Sequence, residues 1–255
     1  MNDLSQNLLC RPFSYNESSR NGVLLIHGFT ATPGTLLPLG AYLARYDCRV
    51  EGILLPGHGT NAADMERCSW RDWLFAAQKG YDRLAQMCDS VSVVGLSMGG
   101  ALALLVAASR PAARTVPVCA ALKVQNHASR FARYVRPIMR YYTERARESD
   151  PGFLQEYNAC YDCTPLRSIE QLNILMKKAR QQLKNIHCPL LIVRAGMDAT
   201  VCPKSAEIIL RQTASANKRL YTLTDSPHVC TLGPERDRLF QEVAAFLQLE
   251  RNADL

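Results

Sequence analysis

Short β-rich apolar runs alternate along the chain with longer stretches in which apolar residues recur every three to four positions. The short runs predict strands over residues 23–27, 49–54, 90–95, 116–122, 190–195 and 219–223. The longer stretches predict helices over about 33–45, 69–87, 98–109, 203–213 and 235–248. The second of these starts on Ser69, a residue suited to an N-cap, and carries Trp70, Trp73, Leu74, Ala77, Tyr81 and Leu84 at helical spacing. Alternation of this kind argues a mostly parallel sheet covered on both faces by helices. The expected fold class is α/β.

One segment breaks the rhythm. About 65 residues, 123–187, contain no convincing strand. Phe131, Val135, Ile138, Met139 and Tyr142 fall on one side of a predicted helix, with Arg130, Arg133, Arg136 and Arg140 leaning to the other. Pro137 is expected to kink or interrupt it, because proline lacks the amide that a helix interior needs. A second helix is predicted over about 168–183, after Thr164 and Pro165. No Gly/Ser or Pro-rich linker flanks the segment, so it is expected to be a helical cap (123–187) on a body made of residues 1–122 and 188–255.

Charge changes the picture in one place. Lys and Arg outnumber Asp and Glu by 30 to 23, a net +7, and residues 123–187 alone hold 12 basic and 6 acidic side chains. The body is therefore nearly neutral, and a general basic coat is excluded. No zinc-finger or RNP-type motif accompanies the arginines, so nucleic acid is not an expected partner. Two accounts of Arg130, Arg133, Arg136 and Arg140 stay open: a solvated helix face, or a charge that favours anionic esters or an anionic lipid surface.

With 255 residues, 47% hydrophobic and 21% charged, the chain has the makeup of an ordinary globular protein that needs no disulfide or metal to fold. No run approaches about 18 consecutive apolar residues, and residues 1–16 have neither a cationic start nor an apolar run of signal length. Most of the ten cysteines fall inside apolar elements, and Cys119 and Cys188 flank strand-like runs. Cys160 and Cys163 form a single CxxC, whereas zinc would need two further ligands at matching spacing. The expectation is a reduced, cytoplasmic protein with no integral membrane association, cofactor or metal.

The candidate chemistry lies in Gly95-Leu96-Ser97-Met98-Gly99-Gly100, a GxSxG pattern between a predicted strand and a predicted helix. A sharp strand-to-helix turn lifts the serine clear of the sheet, and the neighbouring positions must lack colliding side chains. The Met98 N–H, at the helix N-terminus, points where an oxyanion would form. Asp198 follows the strand 190–195 and His228 follows the strand 219–223. In a parallel sheet these strand ends share one edge with Ser97, so the three residues can converge.

With Leu25-Ile26-His27-Gly28-Phe29-Thr30, Pro56-Gly57-His58-Gly59, the Ser97 motif, Gly196-Met197-Asp198 and Pro227-His228 in this order, the chain resembles the α/β-hydrolase superfamily. The resemblance is narrower to small bacterial carboxylesterases and monoacylglycerol-lipase-like enzymes. It implies a helical cap after the sixth strand and a triad of Ser97, Asp198 and His228. It also implies a second oxyanion donor from the Phe29 N–H, and small carboxylic esters of short to medium chain as substrates. Pro227 stands where many relatives have glycine, which stiffens the histidine loop. Asp225 is a rival acid, and His27, His58, His127 and His187 are rival histidines that read as structural. Thioesterase, peptidase and perhydrolase chemistry remain alternatives on the same triad, with a non-catalytic scaffold as the reading from another class.

Overall fold

The computed structural model describes residues 2–126, 129, 131–143 and 153–251. Its strands, in chain order, are β1 (Phe13–Tyr15), β2 (Asn21–Ile26), β3 (Arg49–Ile53), β4 (Ser90–Leu96), β5 (Thr115–Val118), β6 (Tyr141–Tyr142), β7 (Thr164–Pro165), β8 (Leu190–Ala195) and β9 (Lys218–Leu223). The helices are α1 (Leu37–Leu43), α2 (Ala62–Arg67), α3 (Trp70–Met87), α4 (Met98–Ala107), α5 (Ala132–Val135), α6 (Leu166–Gln182), α7 (Lys204–Gln212) and α8 (Arg236–Leu247). Seven strands form one sheet in the order β1-β3-β2-β4-β5-β8-β9. Only β1 runs antiparallel in it, on β3. The α/β expectation holds.

Strand alternation explains the two layers. Along β2, Leu24 and Ile26 pack into a core with Trp73, Ala77 and Leu102, while Val23 and Leu25 face the opposite core with Leu39, Leu43 and Phe240. Consecutive side chains of a strand point to opposite faces, so the apolar run 23–26 of β2 requires a helix layer on each side. At the start of α3, Ser69 and Asp72 form the reciprocal capping box that satisfies the first free amides.

Several boundaries differ from the sequence expectation. Residues 33–45 form a 3₁₀ turn, Pro33–Leu36, followed by the shorter α1. The strand expected over 116–122 stops at Val118, because Cys119 takes a positive φ of 44° and Ala121 N–H turns to Ser97 O, 3.0 Å away. The excursion from the sheet leaves after β5, the fifth strand, where the resemblance implied the sixth; one strand fewer precedes it.

Within the excursion, the helix carrying the arginines is short. It ends at Val135, two residues before Pro137, and Tyr141–Tyr142 then pairs antiparallel with Thr164–Pro165. Arg130 and His127 lie outside the described residues. Arg136 pairs with Glu170 at 3.0 Å, Arg140 with Glu66 at 2.6 Å, and Arg133 lies over the Tyr134 ring. All three side chains are exposed, as on a solvated face, and two of them also pair with carboxylates. Tyr134, Val135, Ile138 and Met139 are exposed apolar groups on the same stretch.

The second expected helix is present as α6, but Leu172, Leu175, Met176 and Ala179 pack in the body's core beside α4. Both ends of the excursion are pinned. Val124 bridges Val201, Gln125 N–H donates to Thr200 O at 2.8 Å, and Cys202 N–H donates to Lys123 O at 2.8 Å. On the return, Tyr161 Oη donates to Gly57 O at 2.8 Å and accepts from Thr60 N–H at 3.0 Å.

Candidate active site

Ser97 sits between β4 and α4 with φ 58° and ψ −115°, a conformation that non-glycine residues avoid unless the surroundings enforce it. Here the enforcement is backbone packing. A β-carbon on Gly95 would collide with the Gly99 carbonyl, and one on Gly99 would collide with the Ile26 carbonyl. Bare backbone at both positions lets α4 start directly against the ends of β4 and β2. Ser97 N–H donates to Val118 O at 2.8 Å, which ties the turn to β5.

His228 lies in the loop between β9 and α8. Glu235, buried at the start of that helix, accepts from Asp225 N–H and from Ser226 Oγ, each at 2.9 Å, and so braces the loop. The His228 ring spans two partners: Nδ1 is 2.7 Å from Asp198 Oδ2, and Nε2 is 2.8 Å from Ser97 Oγ. The Asp198 carboxylate divides its oxygens. Oδ2 faces the imidazole, while Oδ1 accepts the Thr200 and Val201 amides at 2.8 Å each. Gln125 Nε2 donates to the Asp198 carbonyl. Asp225, the rival acid, accepts from Thr224 Oγ1 at 3.2 Å and is exposed.

Beside Ser97 runs the loop after β2. A β-carbon on Gly28 would stand 3.3 Å from Ser97 Cβ, so the chain approaches the serine as closely as a side chain would allow. Phe29 follows Gly28 in this loop, and Met98 follows Ser97 as the first residue of α4.

His27 and His58 are both buried beneath that loop. Leu55 N–H donates to His27 Nε2 at 3.1 Å, which leaves His27 Nδ1 to donate to Gly28 O at 2.9 Å. His58 Nδ1 donates to Pro56 O at 3.1 Å, and its Nε2 is buried with no partner. Burial, then the neighbouring His58, pushes the His27 imidazole down to about 3; burial pushes His58 down to about 4. Phe29, His58 and Trp73 rings meet edge to face around them. Both histidines fit the structural role expected of them from the sequence. Their shared placement with Trp73 has no sequence signature, because the contacts join two loops and a helix distant in the chain. His187 is exposed and stands apart from this cluster.

One cluster among the described residues has metal-ligand chemistry: Cys119, Asp198 and His228, with ligand atoms within 4.8 Å of one another. Its carboxylate and imidazole are already bonded to each other. The Cys119 thiol is held well above its ordinary range by its contact with Cys230, 3.7 Å away, and by burial. The group suits proton transfer between Ser97 and His228, with Asp198 orienting the ring, better than cation binding, which needs a thiolate and open coordination. The CxxC pair is divided, with Cys160 exposed and Cys163 buried, and burial raises the Cys163 thiol.

A parallel sheet whose strand ends bring a strained serine, a histidine and an aspartate into one hydrogen-bonded line defines an α/β-hydrolase. The chain belongs to the family described as serine aminopeptidase, S33, whose model matches residues 17–234. It is 35% identical over 242 residues to a thermostable monoacylglycerol lipase of Bacillus sp. (strain H-257), covering 92% of this chain and 93% of that protein. It is 27% identical to a carboxylesterase of Bacillus subtilis (strain 168), covering 93% of this chain and 96% of that one. Among solved structures, that of the metagenome-derived lipolytic enzymes LipS and LipT superposes with a TM-score of 0.88 at 29% identity. The match spans 94% of this chain and 98% of that one.

Proposed function

We propose that this protein is a serine esterase acting on small carboxylic esters, with Ser97, His228 and Asp198 as its catalytic residues. The observation that carries the reading is the His228 ring, bonded at 2.7 Å to Asp198 and at 2.8 Å to Ser97. Ser97 Oγ attacks the ester carbonyl carbon as His228 Nε2 takes the hydroxyl proton, and Asp198 stabilises the resulting imidazolium. The carbonyl oxygen becomes an oxyanion, held by the Phe29 and Met98 amides. Collapse breaks the bond to the alcohol, which leaves with the Nε2 proton. Water then adds to the acyl-enzyme, gives its proton to Nε2 and releases the acid, and Ser97 recovers its proton.

Monoacylglycerols are the favoured substrates within this class, supported by the 35% identical lipase that this chain matches nearly end to end. A lid formed by the excursion, with α6 belonging to the body, is part of the reading; its support is the seating of α6 in the core. So is a cytoplasmic setting, supported by ten cysteines that are all free. No helix among the described residues is long and apolar enough to cross a membrane.

The test is hydrolysis of nitrophenyl acetate through decanoate and of monoacylglycerols, beside acyl-thioesters and aminoacyl nitroanilides. Turnover of the oxygen esters, abolished in Ser97→Ala together with fluorophosphonate labelling, is the expected result. Preference for the nitroanilides would move the reading to a peptidase.

A further inference from the structure

We infer that Glu235 is a positioning residue that holds His228 at bonding distance from Asp198, acting through Ser226. The inference rests on the proposed triad. Two hydrogen bonds join the loop that carries the acid to the loop that carries the base. Asp198 Oδ2 meets His228 Nδ1 at 2.7 Å, and the Met197 N–H donates to Ser226 O at 3.1 Å. Met197 adjoins Asp198, and Ser226 stands two residues before His228, so the two bonds close a small ring across the loops. The ring fixes the imidazole against the carboxylate only while Ser226 stays in place.

Glu235 keeps it there. Ser226 is fully buried and its Oγ donates to Glu235 Oε2 at 2.9 Å, where the Asp225 N–H also donates at 2.9 Å. Glu235 is the N-cap residue of α8, and Leu239, Phe240 and Val243 of that helix are buried in the core. The carboxylate thus refers the loop to a helix that cannot shift without unpacking. A carboxylate acceptor holds such donors about twice as strongly as a neutral one would. Its other oxygen, Oε1, accepts from the exposed Arg238 at 2.8 Å.

Pro227 carries the constraint from Ser226 to the imidazole. Its ring fixes φ at about −65° and keeps the preceding residue extended, so the link to His228 cannot absorb a displacement by bending. A β-carbon on Gly233 would stand 3.2 Å from Pro227 Cδ, which places the ring against the next turn of the loop. A glycine at 227, with its free φ, would leave the same brace nothing rigid to act on. None of the Glu235 hydrogen bonds reaches Ser97, Asp198 or His228, so its contribution to the reaction runs through Ser226.

Glu235→Ala, Glu235→Gln, Ser226→Ala and the double variant with alanine at both positions test this on nitrophenyl acetate. In Glu235→Ala, kcat should fall about 10- to 100-fold, the scale of a misplaced catalytic group, with KM within about threefold. Fluorophosphonate labelling of Ser97, which needs the same base, should slow by the same factor. Ser226→Ala should lose as much. The double variant should lose no more than about threefold beyond either single one, since one path carries both effects. Glu235→Gln keeps an acceptor and should recover about tenfold of the loss. Arg238→Gln removes only an exposed partner and should keep kcat within about twofold.

A kcat within about twofold of the unaltered enzyme in Glu235→Ala, or a loss confined to KM, would overturn the brace. So would losses that multiply in the double variant, a Glu235→Gln no better than the alanine, or an equal loss in Arg238→Gln. Ser97→Ala assayed in parallel separates the two readings: an active Ser97→Ala defeats the esterase mechanism, whereas an inactive one beside a fully active Glu235→Ala defeats the brace alone. If Glu235→Ala does not fold, Ser226→Ala, which deletes a single hydroxyl, decides by the same kcat and labelling criteria.

Discussion

Arg140 grips Glu66 through both Nε and a terminal guanidinium nitrogen, joining the excursion to α2 of the body across 74 residues of chain. The arginine head is largely exposed and the glutamate largely buried, so the body supplies the fixed carboxylate and the excursion the exposed cation. Exposed pairs of this kind are screened by water and contribute little to global stability. Arg140→Gln should therefore shift the melting temperature by no more than about 3 °C. Its effect should appear in substrate binding: KM for nitrophenyl decanoate should rise about threefold, a binding loss with kcat retained, while that for the acetate stays unchanged. A chain-length series of the esters measures both.

The two amides on Asp198 Oδ1 make a sharper prediction for Asp198→Asn. Thr200 and Val201 donate there, so the asparagine oxygen must take that place and its NH₂ must face His228. Nδ1 is then forced to accept, Nε2 carries the proton, and the ring can no longer receive one from Ser97. kcat should drop by about 10³–10⁴ with little change in KM. Asp225→Asn, at the exposed rival acid, should leave turnover unchanged in the same assay.

The glycines around Ser97 should not tolerate alanine equally. On Gly99 a β-carbon meets the fixed Ile26 carbonyl, so Gly99→Ala should lose about 3 kcal/mol or more in urea unfolding, with activity lost alongside. On Gly28 the nearest atom is Ser97 Cβ at 3.3 Å, a contact that small shifts relieve. Gly28→Ala should keep near-native stability and lose about tenfold in kcat, because it crowds the reacting oxygen.

Stability should fall with acid well before the carboxylates titrate. His27 and His58 have folded values near 3 and 4 against 6.5 when unfolded, so below about pH 6.5 the unfolded chain binds protons that the native one refuses. Above that pH both states are neutral and the two groups contribute nothing. At pH 5 the loss should approach about 2 kcal/mol per histidine. Urea unfolding at pH 7.5 and pH 5 measures it, and a pair of curves with equal midpoints would refute the buried-neutral assignment.

The sheet was legible because β2, β4 and β8 carry short, nearly continuous apolar runs, the mark of strands buried on both faces. The three residues of β1 were not, since so short an edge strand leaves no pattern. Ser97, Asp198 and His228 could be placed because each follows a readable strand, and parallel strand ends converge by topology. The end of β5 could not, because Cys119 takes a left-handed conformation that nothing in its side chain announces. The pairings of Arg136 and Arg140 were not legible for a different reason: Glu170 and Glu66 lie 34 and 74 residues away, and charge pairing at such separation is invisible to spacing. The His27–Leu55 contact was hidden likewise, since a backbone amide carries no residue signature.

Lys123, Val124 and Gln125 are laced to the very loop that carries Asp198, while Tyr161 is moored to the turns at Gly57 and Thr60. For anyone grafting a foreign lid onto this body, the seams are thereby set. The upstream junction belongs after Gln125 and the downstream one before Tyr161. An upstream cut made only a few residues outside that junction would sever the bonds that hold the Asp198 loop in place.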